Sequence, residues 1–350
     1  MDQQYTRRLE SIEAALDRWL PENPGSAWAA QVFPGLSTIH YPLSTTHYLP
    51  LTSPGRDLLS RGGKRWRPLL MTLVCEALGG GEAALPLAPL VEFCHNASLI
   101  HDDIEDNSDE RRGRPAVHII HGVDAAINSG CFLYFLPLAC IDSWAAELEA
   151  GGTLSPAAAG SCRARVYALW GEYMRKLHLG QAIDIDWHRN FEPVPPVEEY
   201  LAMCALKTGC LARFAAELGA AAANVQDAGH FGEAAEKLGV GFQILDDVKN
   251  ITTGLPGKKK GDDVVEGKKS LPVLLYLHRY PEKKETVKRC FDAARQGGVE
   301  APETAELMQM LHESGVSGEA EERGKTLIAE ARAVFADGGD LLSGLIDHIT

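Results

Sequence analysis

Between Leu99 and Pro115 the chain reads LIHDDIEDNSDERRGRP, with six acids from Asp102 to Glu110 and three arginines directly after. Asp102 and Asp106 are four residues apart, so on a helix they share a face, with Asp103 about 100° round from Asp102. Carboxylates this close repel, and each is hard to ionise beside the others. A hard divalent cation removes the conflict. Mg2+ takes oxygen ligands from a few carboxylates, several waters and substrate phosphates. Arg111, Arg112 and Arg114 surround a helix stop at Gly113–Pro115. Guanidinium forks bind phosphate through two parallel hydrogen bonds. Acids beside arginines therefore predict a metal-bridged polyphosphate ligand.

The arrangement recurs. In GVGFQILDDVKNI, residues 239 to 251, Leu238, Gly241, Leu245 and Val248 form one helical stripe. Asp246 and Asn250 repeat the four-residue spacing, with Asp247 adjacent. The segment GKKKGDDVVEGKKSLP, residues 257 to 272, then brings five lysines. Two acid-bearing helices that face each other can clamp one diphosphate through metal ions. A third basic stretch, SRGGKRWRP at residues 60 to 68, places Lys64, Arg65 and Arg67 beside Gly62 and Gly63, which allow close backbone approach. Two carboxylate clusters and three basic ones carry enough charge for two separate diphosphates.

The elements that must position these groups read as helices. From residue 56 onward good helix formers dominate and Asn-Gly hairpin signals are absent. Near the N-terminus, Tyr5, Leu9, Ile12, Leu16 and Trp19 mark one apolar helical face. Prolines at 21, 24, 34, 42, 50 and 54 exclude a long helix over residues 21 to 55 and predict a loop or wrapping segment. The expected organisation is an N-terminal helix plus proline-rich segment over 1–55, followed by one all-α catalytic domain over 56–350.

Bulk properties bound the function. Apolar residues make up 45% and charged residues 23%, the mix of a globular protein. A net charge of −14 argues against nucleic-acid binding. Eight scattered cysteines without a Cys-x-x-Cys argue against zinc sites and disulfide scaffolds and for a cytoplasmic setting. The start, MDQQYTRRLE, is not a signal peptide, and CFLYFLPLACI is too short to span a bilayer.

Taken together, GGKRWRP, DDIEDNSDERRGRP, GQAIDI, LKTG and FQILDDVKN…GKKKGDDVVEGKKSLP resemble, in this order, the motifs of the trans-isoprenyl diphosphate synthases, the polyprenyl synthetase family. The likeness runs from about Gly62 to Pro272. HNASLIHDDIEDNS, INSG and the Asp-Asp-x-x-Asn ending look closest to the geranylgeranyl diphosphate synthases. This implies an antiparallel helical bundle of the isoprenoid synthase type with a central cavity, usually a homodimer. It also implies three Mg2+ ions on the allylic diphosphate. By the same resemblance Asp102, Asp106 and Asp246 are direct metal ligands, assisted by Asp103, Asp247 and Asp263. Arg111, Lys207, Lys258 and Lys268 would contact the allylic diphosphate. Gly63, Lys64, Arg65, His95 and Arg112 would hold isopentenyl diphosphate, and Thr208 and Gln243 would line the reacting centre. Asn250, a weaker metal ligand than a carboxylate, stays outside the metal shell.

The implied reaction is ionisation of an allylic diphosphate, attack by the alkene of isopentenyl diphosphate, and proton loss to released diphosphate. Aromatic residues one turn upstream of the first aspartate stop growth at fifteen carbons in this family. Here Ala97 and Ser98 stand there, which implies a C20 product or longer, with a floor from Phe132, Tyr134, Phe135 or His118. Longer-chain or farnesyl synthases are the neighbouring alternatives. A class I terpene cyclase fits less well, because Asp246–Gly254 holds no glutamate and a cyclase has no second diphosphate to bind. A non-catalytic subunit of a prenyl synthase fits less well too, since both acidic sets are intact.

Overall fold

The computed structural model describes residues 3–36, 43–152, 154–254 and 259–349. Helix α1 (Gln3–Trp19) buries Tyr5, Ile12, Leu16 and Trp19, the face its spacing predicts. Among its described residues, the proline-rich stretch then gives a short α2 (Ser26–Val32) and a 3-10 turn (Thr45–His47) before α3 (Leu49–Ser60) begins. This helix starts seven positions before residue 56, where the sequence pattern turns helical. Pro50 lies in its first turn, where a missing N–H costs nothing. Beyond the interior Pro54, the Gly55 N–H donates to Ser129 Oγ at 3.0 Å. The stretch is held by aromatic contacts. Trp28 meets Phe33 and Tyr48, and Phe33 stacks on Phe132 at 5.9 Å.

Next come α4 (Trp66–Ala77) and α5 (Ala88–Glu105), the helix that ends in the first acidic cluster. A ribbon of β1 (Glu110–Arg111) and β2 (Arg114–Pro115) follows, antiparallel with Arg111 opposite Arg114. Among the described residues these are the only strands. Then run α6 (Val117–His121), α7 (Val123–Phe135), α8 (Leu138–Ala150) and the long α9 (Pro156–Arg189). Ser155 caps α9 by accepting the Ala158 N–H at 3.3 Å, and Pro156 sits at its first position. The chain continues through α10 (Val197–Cys204), a π-helical turn (Ala205–Gly209), α11 (Cys210–Ala222) and α12 (His230–Ile251), the second acidic helix. It closes with α13 (Asp262–Glu266), α14 (Leu271–Arg279), α15 (Lys284–Gly297), α16 (Pro302–Glu313), α17 (Val316–Phe335) and α18 (Asp340–Ile349). The result is an all-α antiparallel bundle, as expected.

Two apolar cores share the work. The larger joins α1, α4, α5, α7, α8, α9 and α11 around Leu16, Leu70, Phe93, Trp144 and Phe214. The second joins α10, α14, α15 and α16 around Tyr200, Leu274, Phe291 and Leu307. Helix α12 belongs to both, giving Leu238 to the first and Ile244 and Val248 to the second. It lies tight against α17, where a Cβ on Gly241 would come within 2.9 Å of the Gly324 carbonyl oxygen. The run Val123–Ala150 is long and apolar enough to cross a membrane by length and composition. It is broken between Phe135 and Leu138 and buries Leu133, Ile141 and Trp144 in the larger core.

Candidate active site

Helices α4, α5, α9, α11 and α12 enclose a cavity of about 710 Å3. Asp102 and Asp246 both line it, on α5 and α12, so the two acid-bearing helices do converge on one space. Lys64, His95, Arg111, Arg112, Lys207, Thr208, Gln243, Asp247, Asp263 and Lys268 line it too.

On the α5 side, charge density is balanced at short range. Asp102 Oδ1 accepts from Lys207 Nζ and Gln181 Nε2, each at 3.0 Å, and Arg111 lies 3.5 Å from its Oδ2. Burial alone would raise the Asp102 pKa, but Lys207, Lys268 and Arg111 outweigh it and hold the carboxyl well below its usual range. Arg111 Nε donates to Asp103 Oδ1 at 2.8 Å, with Nη2 alongside. Asp106, with a side chain 2% exposed, meets Lys268 at 3.2 Å. Among the described residues, Asp103 Oδ2 and Asp106 Oδ1 are buried and accept no hydrogen bond. Such orphaned carboxylate oxygens are costly unless a cation satisfies them. On α12, the Asp246 side chain has no hydrogen-bond or ion-pair partner among the described residues and lines the cavity, whereas Asp103 and Asp106 do not line it. Surrounding protein raises its pKa by desolvation, opposed by Lys249 and Lys64.

These donors suit a hard divalent cation. Among the described residues no three acidic, histidine or cysteine side chains converge closely enough to hold an ion by themselves. An ion here would complete its shell with water and substrate phosphate oxygens, the habit of Mg2+.

The π-helical turn between α10 and α11 sets the reacting edge. Its extra residue per turn presents Lys207 and Thr208 side by side into the cavity, a use of π-bulges common at functional sites. Glycine makes the approach possible, since a Cβ on Gly180 of α9 would sit 2.4 Å from the Lys207 nitrogen. Lys207 Nζ bonds Asp102 and, at 2.5 Å, Asp184. Burial opposes its charge, but those two carboxylates prevail and raise its pKa. Thr208 Oγ1 donates to Gln243 Oε1 at 2.8 Å, and Gln243 Nε2 donates to Asp247 Oδ1 at 2.8 Å. Tyr200 donates to the other oxygen of Asp247 at 2.7 Å. Burial and the nearby Asp263 push Asp247 up to about 7. Asp247 thus holds Gln243 in place, and both of its oxygens already accept hydrogen bonds.

At the other end, Gly63, Lys64 and Arg67 meet His95 and Arg112. His95 is driven well below its ordinary pKa by burial and then by Arg67 and Arg112, so it is a neutral imidazole. Arg65 departs from expectation. It borders the cavity, but its guanidinium is spent on Glu13 at 2.7 Å, Glu92 at 2.8 Å and the carbonyls of Gly62 and Leu59. Its αL backbone, φ 47°, turns the side chain inward. Arg67 is the arginine left facing this end, 3.4 Å from His95 and stacked on Trp66.

The sequence counted Arg67 in the third basic cluster but gave the binding role to Arg65, and it held Gln181 and Asp184 only within the motif GQAIDI. Their spacing held a signal, because Gln181 and Asp184 share a helix face three apart. Lys258 lies outside the described residues. Asn250 points away, accepting the Asp263 N–H at 3.2 Å and so steadying α13. None of Phe132, Tyr134, Phe135 and His118 lines the cavity, whose apolar part is bounded by Ser98, Leu99, Leu177 and Leu211. Tyr134 lies outside that wall between His101 and His178, and Phe135 is 60% exposed.

Comparison with known proteins points to one family. The polyprenyl synthetase model matches residues 50–308. The chain is 31% identical over 329 residues to a geranylfarnesyl diphosphate synthase of Aeropyrum pernix, covering 89% of this chain and 97% of that one. It is 35% identical over 273 residues to a short chain isoprenyl diphosphate synthase of Methanocaldococcus jannaschii, covering 75% and 77%. Among solved structures, a polyprenyl synthase from Caulobacter crescentus complexed with calcium and isoprenyl diphosphate superposes with a TM-score of 0.72 at 25% identity, covering 98% of this chain and 95% of that one.

Proposed function

The chain belongs to the polyprenyl synthetase family and is a trans-isoprenyl diphosphate synthase, and on that premise we propose that it makes geranylgeranyl diphosphate (C20). The co-substrates are isopentenyl diphosphate and an allylic diphosphate, and diphosphate is released. The observation that carries the reading is the convergence of Asp102 and Asp246 on one cavity whose far end is cationic. A terpene cyclase has no use for that second cationic end.

Asp102, Asp106 and Asp246 would hold Mg2+, with Asp103, Asp247 and Asp263 assisting; three ions per site is the proposed count. When bound, the metal neutralises charge on the allylic diphosphate. Lys207, Lys268 and Arg111 add fixed positive charge at the leaving oxygen, and this stabilisation grows as the C–O bond breaks. The oxygens of Thr208 and Gln243 face the resulting allylic cation, and Leu99, Leu177 and Leu211 keep water from it. The alkene of isopentenyl diphosphate gives its electron pair to form the new C–C bond. The proton then lost goes to the released diphosphate.

The test is a product assay with Mg2+, radiolabelled isopentenyl diphosphate and primers of five, ten and fifteen carbons. Labelled C20 prenyl alcohols after dephosphorylation are expected, and a chelator removes them. Cyclic hydrocarbon without incorporated label overturns the reading. A C15 or C25 product corrects only the length.

Lys64, His95, Arg67 and Arg112 hold isopentenyl diphosphate, with Arg67 taking the place expected of Arg65. Arg67→Ala is expected to raise KM for isopentenyl diphosphate roughly 10- to 100-fold, the loss of a charge-assisted hydrogen bond. Arg65→Ala instead leaves Glu92 buried and unpaired, costing about 3–5 kcal/mol of stability. Steady-state kinetics beside thermal melts separate the two, and the reverse pattern would return the binding role to Arg65.

The active form is a homodimer. Ile119, Ile120, Val123, Ile127, Phe135 and Leu179 are exposed on α6, α7 and α9, and apolar residues left exposed in this number suit an interface. Light scattering should give twice the chain mass, and a monomer at micromolar concentration would remove this part. All eight cysteines are thiols, which suits a cytoplasmic setting.

A further inference from the structure

The ribbon that carries Arg111 and Arg112 has two residues per strand, and an isolated pair of strands is marginal in water. Something outside it must fix where the two arginines point. Arg112 and Gly113 form its turn, both with positive φ, at 54° and 71°. The side chains of Arg111 and Arg112 then split apart. Arg111 goes to Asp103 and Asp102, whereas Arg112 Nη1 goes to the carbonyls of Leu58 and Gly62 and to Asn96.

Arg61, whose side chain is 1% exposed, lies directly beneath. Its Nη1 donates to the Arg111 carbonyl at 3.1 Å and to the Pro115 carbonyl at 2.9 Å, one on each strand. Its Nε and Nη2 form a fork onto Asp57, at 3.3 and 2.7 Å. Asp57 also meets Arg114 at 3.0 Å and His121 at 3.2 Å, so β2 and α6 share the same carboxylate. Arg61 is followed at once by Gly62, Gly63 and Lys64. One buried guanidinium therefore touches both strands of the arginine ribbon while its own backbone leads into the lysine loop.

We propose that Asp57 and Arg61 are positioning residues that set the relative placement of the lysine loop and the arginine ribbon, and hence of the two diphosphates. Neither lines the cavity. The proposal rests on the reading that Arg112 and Lys64 bind a diphosphate. A planar fork is required, because Lys at position 61 keeps the charge but cannot grip Asp57 with two donors and both carbonyls with a third.

The test uses the full chain without Mg2+, titrated with inorganic diphosphate by calorimetry, together with KM for isopentenyl diphosphate. Wild type should bind, and Arg112→Ala should weaken binding at least about tenfold. Asp57→Asn and Arg61→Lys should each weaken it about five- to tenfold, with KM rising in step. Adding Arg112→Ala to either should cost less than the two losses combined. Leu311→Ala, remote in the second core, supplies a destabilised control whose binding stays at the wild-type level. Wild-type binding by Asp57→Asn and Arg61→Lys, alongside a weakened Arg112→Ala, overturns the positioning role and leaves the site reading intact. No effect of Arg112→Ala overturns both. Arg61→Ala is not needed, so a failure of that variant to fold does not matter.

Discussion

Asp102→Asn is expected to lower kcat by about a thousand-fold, on the order of 4 kcal/mol in the barrier, while the helical fold stays intact. The amide has the shape of the carboxylate, so packing around it is retained. What is lost is the charge on which the cavity's electrostatics turn. Asp102 balances Lys207, Lys268 and Arg111 from one point on α5. Without it Lys207 keeps, among the described residues, only Asp184 as a direct partner and is drawn toward α9. The site also loses one of the two aspartates, on α5 and α12, that converge on the cavity. Asp246→Asn should fall as far for a simpler reason, since Asp246 makes no bond within the described protein and has nothing structural to lose. Asp247→Asn should differ. Its carboxylate accepts from Tyr200 and Gln243, so that substitution disturbs Gln243 and lowers stability as well as rate. Single-turnover rates with thermal melts separate these effects. Wild-type turnover by Asp102→Asn and Asp246→Asn would remove the metal assignment.

The charged skeleton of the site was legible because charge has few other reasons to repeat. Asp102 and Asp246 were readable from i, i+4 spacing and the lysine and arginine clusters from composition, whereas Asp106 keeps that spacing but does not line the cavity. What stayed hidden depended on backbone geometry. Arg65 and Arg67 are both cations two positions apart, and only the left-handed φ of Arg65 decides which one turns inward to Glu92. The π-helical turn at Ala205–Gly209 has no sequence signature in ALKTG, yet it brings Lys207 and Thr208 together. Early onset of α3 was obscured by counting prolines without asking where they fall within a turn. Asp57 and Arg61 escaped notice because a bridge to backbone carbonyls leaves no mark on the partner's sequence.

Product length gives the sharpest test of the apolar half of the cavity, and the structure separates two residues that the sequence treated alike. Ser98 lines the wall, while Ala97 is 0% exposed inside the larger core. Ser98→Phe projects a ring into the space between α5, α9 and α11, near Leu177 and Leu211. A growing chain meets that ring before it meets the present boundary, so the main product is expected to shift from C20 to C15. Turnover with short primers should persist. Ala97→Phe forces the same ring into packed helices, which costs about 1–3 kcal/mol and shortens nothing. Leu177→Ala opens the opposite wall and is expected to lengthen the product, at about 2–5 kcal/mol of stability. Chromatography of the dephosphorylated alcohols reads all three variants. If Ala97→Phe shortens the product and Ser98→Phe does not, the chain grows behind α5 instead of along the face that carries Ser98.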